Sequence, residues 1–207
     1  MSLQVQASIS DLFFLEKAGY LSDCLHTGPG EPARQAEPDD ALRPNQLLAV
    51  TMGAVFETTV CRKIVAACEE LLVPGAIRSL ADRPVGRPLA IDHRGKTINN
   101  PHHPYQGKYE GEEDLKRKPA YHNGTAWTWL FPSFCEAWVK VYKDSGKNAA
   151  LSWLASSTRQ INQGCMGHVP EIMDGDFPHR QRGCDAQAWG TSELLRVWLQ
   201  LAASVHP

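Results

Sequence analysis

Hydrophobic positions recur at helical spacing in four stretches of the chain, with polar positions on the opposite faces. Between Thr58 and Leu72, Val60, Cys61, Ile64, Val65, Cys68, Leu71 and Leu72 form one stripe. Arg62, Lys63, Glu69 and Glu70 take the other side, and Pro74-Gly75 ends the run. Trp127, Leu130, Phe131, Phe134, Trp138 and Val141 repeat at three or four residues and predict a helix from Ala126 to Lys143. Ala150, Leu151, Leu154 and Ile161 predict another over Asn148 to Ile161, ahead of Gly164. A last helix is predicted over Ala186 to Val205, burying Leu194, Val197, Trp198 and Leu201. A shorter helix follows Arg43-Pro44, because proline's fixed φ and missing N–H suit a first helical position. Val5 to Leu15 reads as the end of one more helix, and Gly19 to Leu25 as a short strand. The pattern is all-α in class, with long irregular loops and room for a short β-hairpin.

Two stretches have no period. His26 to Asp40 is rich in glycine, proline and acid and reads as a surface excursion. Arg83 to Gly124 holds five prolines and five glycines, and a loop of this length in a compact domain is usually functional or disordered. Within it, Asn99 to Tyr105 offers polar and aromatic groups suited to a ligand.

Composition narrows the class. The chain has 207 residues, enough for about one domain. Its 21 basic and 23 acidic residues leave a net charge of −2, without the basic field that gathers a nucleic acid. No apolar run approaches the roughly 20 residues of a membrane span, and the first twenty residues carry Asp11 and Glu16 rather than a secretory leader. Six cysteines without a CxxC pair read as reduced thiols in a cytoplasmic protein.

Chemistry-bearing residues gather in two clusters. Tyr121-His122-Asn123-Gly124-Thr125-Ala126-Trp127-Thr128-Trp129 places a cap, a flexible glycine and two indoles at one helix start. His122, Asn123 and one indole could face a sugar; a plain helix start with two core tryptophans is the other reading. Trp127 falls on the apolar stripe, which leaves Trp129 the less buried of the two. The second cluster, Gly167 to Trp189, sets Glu171, Asp174 and Asp176 beside His179, Arg180 and Arg182. Either a carboxylate there activates water beside a sugar, or the acids are solvated turn residues paired with arginines. His168, His179, Cys165, Cys184, Asp174 and Asp176 could ligate a metal, yet no HxxxH, CxxC or EF-hand spacing joins them, so no metal and no cofactor is expected. No G-x-S-x-G and no phosphate loop is present.

His122-Asn123-Gly124-Thr125 with Trp127 and Trp129, Pro170-Glu171-Ile172, Asp174-Gly175-Asp176, Pro178-His179, Arg182-Gly183-Cys184 and Ala186-Gln187-Ala188-Trp189 together resemble the amylo-α-1,6-glucosidase domain of glycogen debranching enzymes. Leu42-Arg43-Pro44-Asn45-Gln46 and Gly19-Tyr20-Leu21 extend the likeness, which runs from about residue 8 to the end. The resemblance implies an (α/α)6 toroid of the six-hairpin glycosidase type. It also implies inverting hydrolysis of α-1,6-linked glucose at branch points of glycogen or limit dextrin. The general base of a Pro-Glu pair becomes Glu171, with Arg182 expected nearby to keep it ionised. Asn45, Gln46, His122, Asn123, Thr125, Trp127, Trp129, Asp174, Gln187 and Trp189 become the substrate-binding set. The α-glucan is the expected partner, with neither nucleic acid nor membrane.

One part of the family pattern is missing. The general acid lies in a Trp-Met-Asp motif upstream of the matched residues, and this chain contains no such motif. A toroid of six helical hairpins, at about 11–12 residues per helix plus loops, needs well over 207 residues. Residues 1–207 are therefore expected to be the C-terminal portion of a single glucosidase domain, inactive without the N-terminal part of the same enzyme. An exposed apolar edge should mark where partner helices belong. The competing reading is a non-catalytic carbohydrate-binding or interaction module on the same helical scaffold.

Overall fold

The computed structural model describes residues 3–203. Its helices are α1 (Leu3–Phe13), α2 (Gln46–Thr51), α3 (Thr58–Cys68), α4 (Lys118–Tyr121), α5 (Phe131–Tyr142), α6 (Asp144–Ala155), α7 (Thr158–Ile161) and α8 (Ala188–Ala203). Helix α5 is the hub. Phe131, Phe134, Cys135 and Ala137 on it are buried, and it packs against α2, α3, α6 and α8. The apolar stripe of α3 supplies Cys61, Ile64, Val65 and Cys68 to the same core, and α8 supplies Val197 and Leu201. Helices α5 and α6 form a tight pair: a Cβ on Gly146 would lie 2.7 Å from the Trp138 indole nitrogen and from Tyr142.

Beside the helices lies more sheet than a single hairpin. Strands β1 (Phe14–Leu15) and β2 (Tyr20–Leu21) pair, as do β3 (Leu25–His26) and β4 (Glu37–Pro38). Strands β5 (Leu72–Val73), β6 (Ala76–Arg78), β9 (Ala126–Trp127), β10 (Ile172–Met173) and β11 (Gln181–Arg182) form one antiparallel sheet in the order β11-β10-β9-β6-β5. The remaining pair, β7 (Asp92–His93) and β8 (Lys96–Thr97), lies in the long loop region. Strands of two or three residues show no period, which is why the pattern of side chains does not reveal them.

Several helix bounds differ from expectation for identifiable reasons. Ala126–Trp127 is the central strand of the sheet: Trp127 sits opposite Ile77 on one side and Ile172 on the other. Helix α5 starts only at Phe131, with Pro132 in its first turn. The run to Ile161 breaks after Ala155, where the Ser156 and Thr158 hydroxyls donate to the carbonyls of Trp153 and Ala155, a local competition with helical bonding. Helix α8 begins at Ala188; Val205 of the predicted run lies outside the described residues. The Asn99 amide pins its own loop, accepting from the Ile91 N–H and donating to the Leu89 carbonyl, both at 2.8 Å. On α8, Leu195 and Leu199 are each 57% exposed and Trp198 37%, an apolar face turned outward. Among the described residues no helix is long and apolar enough to cross a membrane.

Candidate functional site

A cleft of about 520 Å³ opens where the sheet meets the start of α8, bounded by Asp23, Asn45, Arg43, His122, Trp127, Trp129 and Trp189 among others. The strand ladder fixes Trp127, and its indole N–H donates to the Tyr121 carbonyl at 3.2 Å. Its ring stacks on His122, with centroids 5.5 Å apart and planes within 9°, and meets Tyr121 and Trp189 edge to face. Trp129 stacks on Trp189 at 4.9 Å. Three indoles and an imidazole thus share one wall. Aromatic faces of this kind pack on the apolar faces of sugar rings, and polar tips bond hydroxyls. Trp127 stands on a strand and Trp129 in the turn that follows it, not on one helix, and both reach the cleft. Trp127 is the more buried.

Arg43 braces the rim. Its guanidinium donates to the carbonyls of Ser79 and His122 and to Asn123 Oδ1, the last at 2.8 Å, and lies 3.9 Å from Asp23. Partial desolvation of the His122 ring, followed by the Arg43 charge, holds its pKa below the usual 6.5, so the imidazole is neutral at pH 7. Neither Arg43 nor Tyr121 was in the expected set. Arg43 lies in a segment that resembles the family, but it carried no assigned role there, because the long-range partner of a guanidinium has no sequence signature.

Glu171 is buried and is held at both oxygens. The Tyr121 hydroxyl donates a short bond to Oε1, and the Cys184 N–H donates to Oε2 at 3.0 Å. Two backbone bonds fix its own main chain: its N–H donates to the Cys184 carbonyl at 2.8 Å, and its carbonyl accepts from the Thr128 N–H at 3.4 Å. Gly183 passes so close that a Cβ there would stand 2.4 Å from Oε2. Desolvation, then the hydrogen bond to Glu171, pushes the Tyr121 phenol well above its usual range, so it stays a donor. Glu171 is not among the residues lining the cleft; Tyr121, packed on Trp127, stands between them.

The other expected residues divide by what their polar atoms already do. Asn45 reaches the cleft while donating to Asp23 at 2.9 Å. Gln46 is buried, accepting from the Leu21 N–H and donating to the Arg43 carbonyl. Asn123 donates to the Pro119 carbonyl, and buried Thr125 to the Tyr121 carbonyl. Gln187 keeps a buried Oε1 with no bonding partner among the described residues. Asp174 accepts from the Tyr109 N–H at 2.8 Å and from Nε and Nη2 of Arg182 at 2.9–3.1 Å. Arg182 therefore serves Asp174 and Glu110, not Glu171 as the sequence led us to expect. Asp176 accepts from the Tyr105 hydroxyl at 2.9 Å. Among the described residues, the group that converges as metal ligands would is not drawn from residues 165–184. It is Cys24, His26 and Asp39, in the cleft wall.

The family model for amylo-α-1,6-glucosidase matches residues 1–196 of the chain. No curated protein matches it. A match over nearly the whole chain, on residues that build an aromatic cleft beside a buried Pro-Glu carboxylate, assigns the protein to the amylo-α-1,6-glucosidase family, a glycogen-debranching glycosidase domain.

Proposed function

We propose that this domain takes part in hydrolysing α-1,6-linked glucose at branch points of glycogen or limit dextrin, with inversion, and that Glu171 is the general base. The observation that carries the reading is the carboxylate of Glu171, buried and oriented at both oxygens next to an aromatic cleft. A base must hold one lone pair toward the attacking water, and fixed bonds from Tyr121 and Cys184 leave the carboxylate little freedom to turn away. Asn45, His122, Trp127, Trp129 and Trp189 contact the sugar directly in this reading. Gln46, Asn123, Thr125, Asp174 and Gln187 shape the pocket.

Inversion also needs a carboxylic acid on the far side of the bond, the two carboxyls about 6.5–9.5 Å apart. In the family that acid sits in a Trp-Met-Asp segment, so residues 1–207 act as the C-terminal portion of a single (α/α)6 domain together with that segment. The outward apolar face of α8 supports such a partner. A second reading, a non-catalytic glucan-binding module, draws support from the absence of Glu171 from the cleft lining.

Glu171→Gln in the complete enzyme separates them. A general base predicts a rate loss on the order of 10²–10⁴-fold with glucan affinity nearly unchanged. Full turnover by Glu171→Gln, with loss in Asp176→Asn, would transfer the role to Asp176. If the complete enzyme bound glucan but released no glucose with either residue at 171, the binding module would stand.

A further inference from the structure

The β3–β4 ribbon carries a group that the proposed hydrolysis does not use. Leu25 pairs with Pro38 and His26 with Glu37, so the next opposed pair is Cys24 and Asp39. The Asp39 N–H donates to the Cys24 carbonyl at 3.0 Å and confirms that extension. Side chains alternate along a strand, which puts Cys24 and His26 on one face and Asp39 opposite Cys24 on the same face. Cys24 Sγ lies 3.3 Å from His26 Nε2 and 3.7 Å from Asp39 Oδ2, and Nε2 lies 3.6 Å from Oδ2.

These three separations fall in the range of the edges of a coordination tetrahedron. With Zn–S about 2.3 Å and Zn–N and Zn–O about 2.0–2.2 Å, neighbouring ligand atoms at the tetrahedral angle stand about 3.3–3.7 Å apart. A hydrogen-bonded trio accounts for them less well. The imidazole–carboxylate distance exceeds the about 2.7–3.2 Å of an N–H···O bond, and a thiol has one hydrogen for two neighbours. The Asp39 side chain is 5% exposed. Its Oδ1 already accepts the Ala41 N–H at 2.8 Å, which orients Oδ2 toward Cys24 and His26.

We propose that Cys24, His26 and Asp39 bind a borderline divalent cation of the zinc class. The fourth position is left to water or a sugar hydroxyl at the wall of the cleft that all three residues line. One sulfur, one imidazole nitrogen and one carboxylate oxygen suit zinc over magnesium or calcium, which select oxygen alone. Binding replaces the thiol hydrogen with the metal and releases that proton to solvent. The site ties both ends of the excursion from Thr27 to Ala36 to the cleft.

Cobalt(II), titrated under reducing conditions into the metal-stripped full-length chain, tests this. The expected result is one equivalent bound, with a thiolate-to-cobalt charge-transfer band and the strong d–d absorption of a tetrahedral site, both abolished by one equivalent of zinc. Cys24→Ser and Asp39→Asn should each weaken binding by more than about 100-fold, beyond the usual 10–100-fold cost of losing an outer-shell partner. Circular dichroism checks that the variants remain folded. Cys165→Ser should leave the titration unchanged. Absence of a stoichiometric thiolate band, or a band that survives Cys24→Ser in folded protein, would overturn the assignment.

Discussion

Replacing Gly183 by alanine probes the seat of Glu171 without touching the carboxylate. Gly183 has φ +67°, and its Cβ would meet Oε2 of Glu171 at 2.4 Å and Ile172 Cγ1 at 3.0 Å. Gly167 has φ +79° and nothing within 4 Å of where an alanine methyl would stand, which makes Gly167→Ala a matched control. Both variants carry the cost of a left-handed residue with a side chain, about 1–2 kcal/mol. Only Gly183→Ala also drives the carboxylate back by roughly 1 Å, the gap between 2.4 Å and ordinary contact at 3.4 Å. That stretches the 3.0 Å bond from the Cys184 N–H past hydrogen-bonding range. Losing a bond to a charged group costs about 1.5–3 kcal/mol. Since each kcal/mol shifts the midpoint of a domain this size by about 2–4 °C, Gly183→Ala should melt roughly 3–12 °C below Gly167→Ala. Near-ultraviolet circular dichroism should change only in Gly183→Ala, because Tyr121 bonds the displaced carboxylate and Trp127 packs on Tyr121. If the two variants melted together with identical aromatic spectra, the carboxylate would not be held as described.

Three further outcomes follow from the same geometry. Arg182→Ala leaves Asp174 buried without its guanidinium; with Arg182 24% exposed the cost should be about 2–3 kcal/mol in urea denaturation, below the 3–5 kcal/mol of a fully buried pair. It should exceed that of Asp174→Asn, and the reverse order would argue against a structural role for the pair. His122, with its pKa lowered by desolvation and Arg43, should titrate below 6.5 in an NMR experiment. The unfolded chain takes up that proton first, so this group imposes no penalty above about pH 6.5 and a growing one as the pH falls to the folded-state pKa; a midpoint above 6.5 contradicts it. The chain should self-associate in light scattering through the exposed face of α8, and Leu199→Lys should reduce that association with little change in melting temperature. Unchanged association would show that this face is not what drives it.

The helical core was legible because its stripes are long. Ile64, Val65 and Cys68, or Phe131 and Phe134, each repeat often enough to fix a face, and all are buried. Trp127 obeys the same spacing, yet pairing on both edges made it a strand. Two residues of strand cannot advertise themselves against a neighbouring helix. In the site, residue type was legible and partnership was not. Gln46, Asn123 and Asp174 look like ligand-binding groups in sequence, but their bonds go to Leu21, Arg43 and Arg182. The grouping of Cys24, His26 and Asp39 depends on ribbon register, which a separation of fifteen residues between Cys24 and Asp39 conceals.

The central position of Trp127 also sets an order of events. Its partners Ile77 and Ile172 lie 50 and 45 residues away in opposite directions along the chain. Such pairings form late, because closing long segments costs entropy before any contact repays it. The helix pair α5–α6, joined through the single residue Lys143, can form locally and early. During synthesis the sheet remains incomplete until Gln181 and Arg182 have left the ribosome, so the carboxylate, the indoles and the tyrosine meet only in the final stage of assembly. Until Ile172 and Met173 emerge, Ala126 and Trp127 present an unpaired strand edge, the segment a chaperone would have most reason to cover.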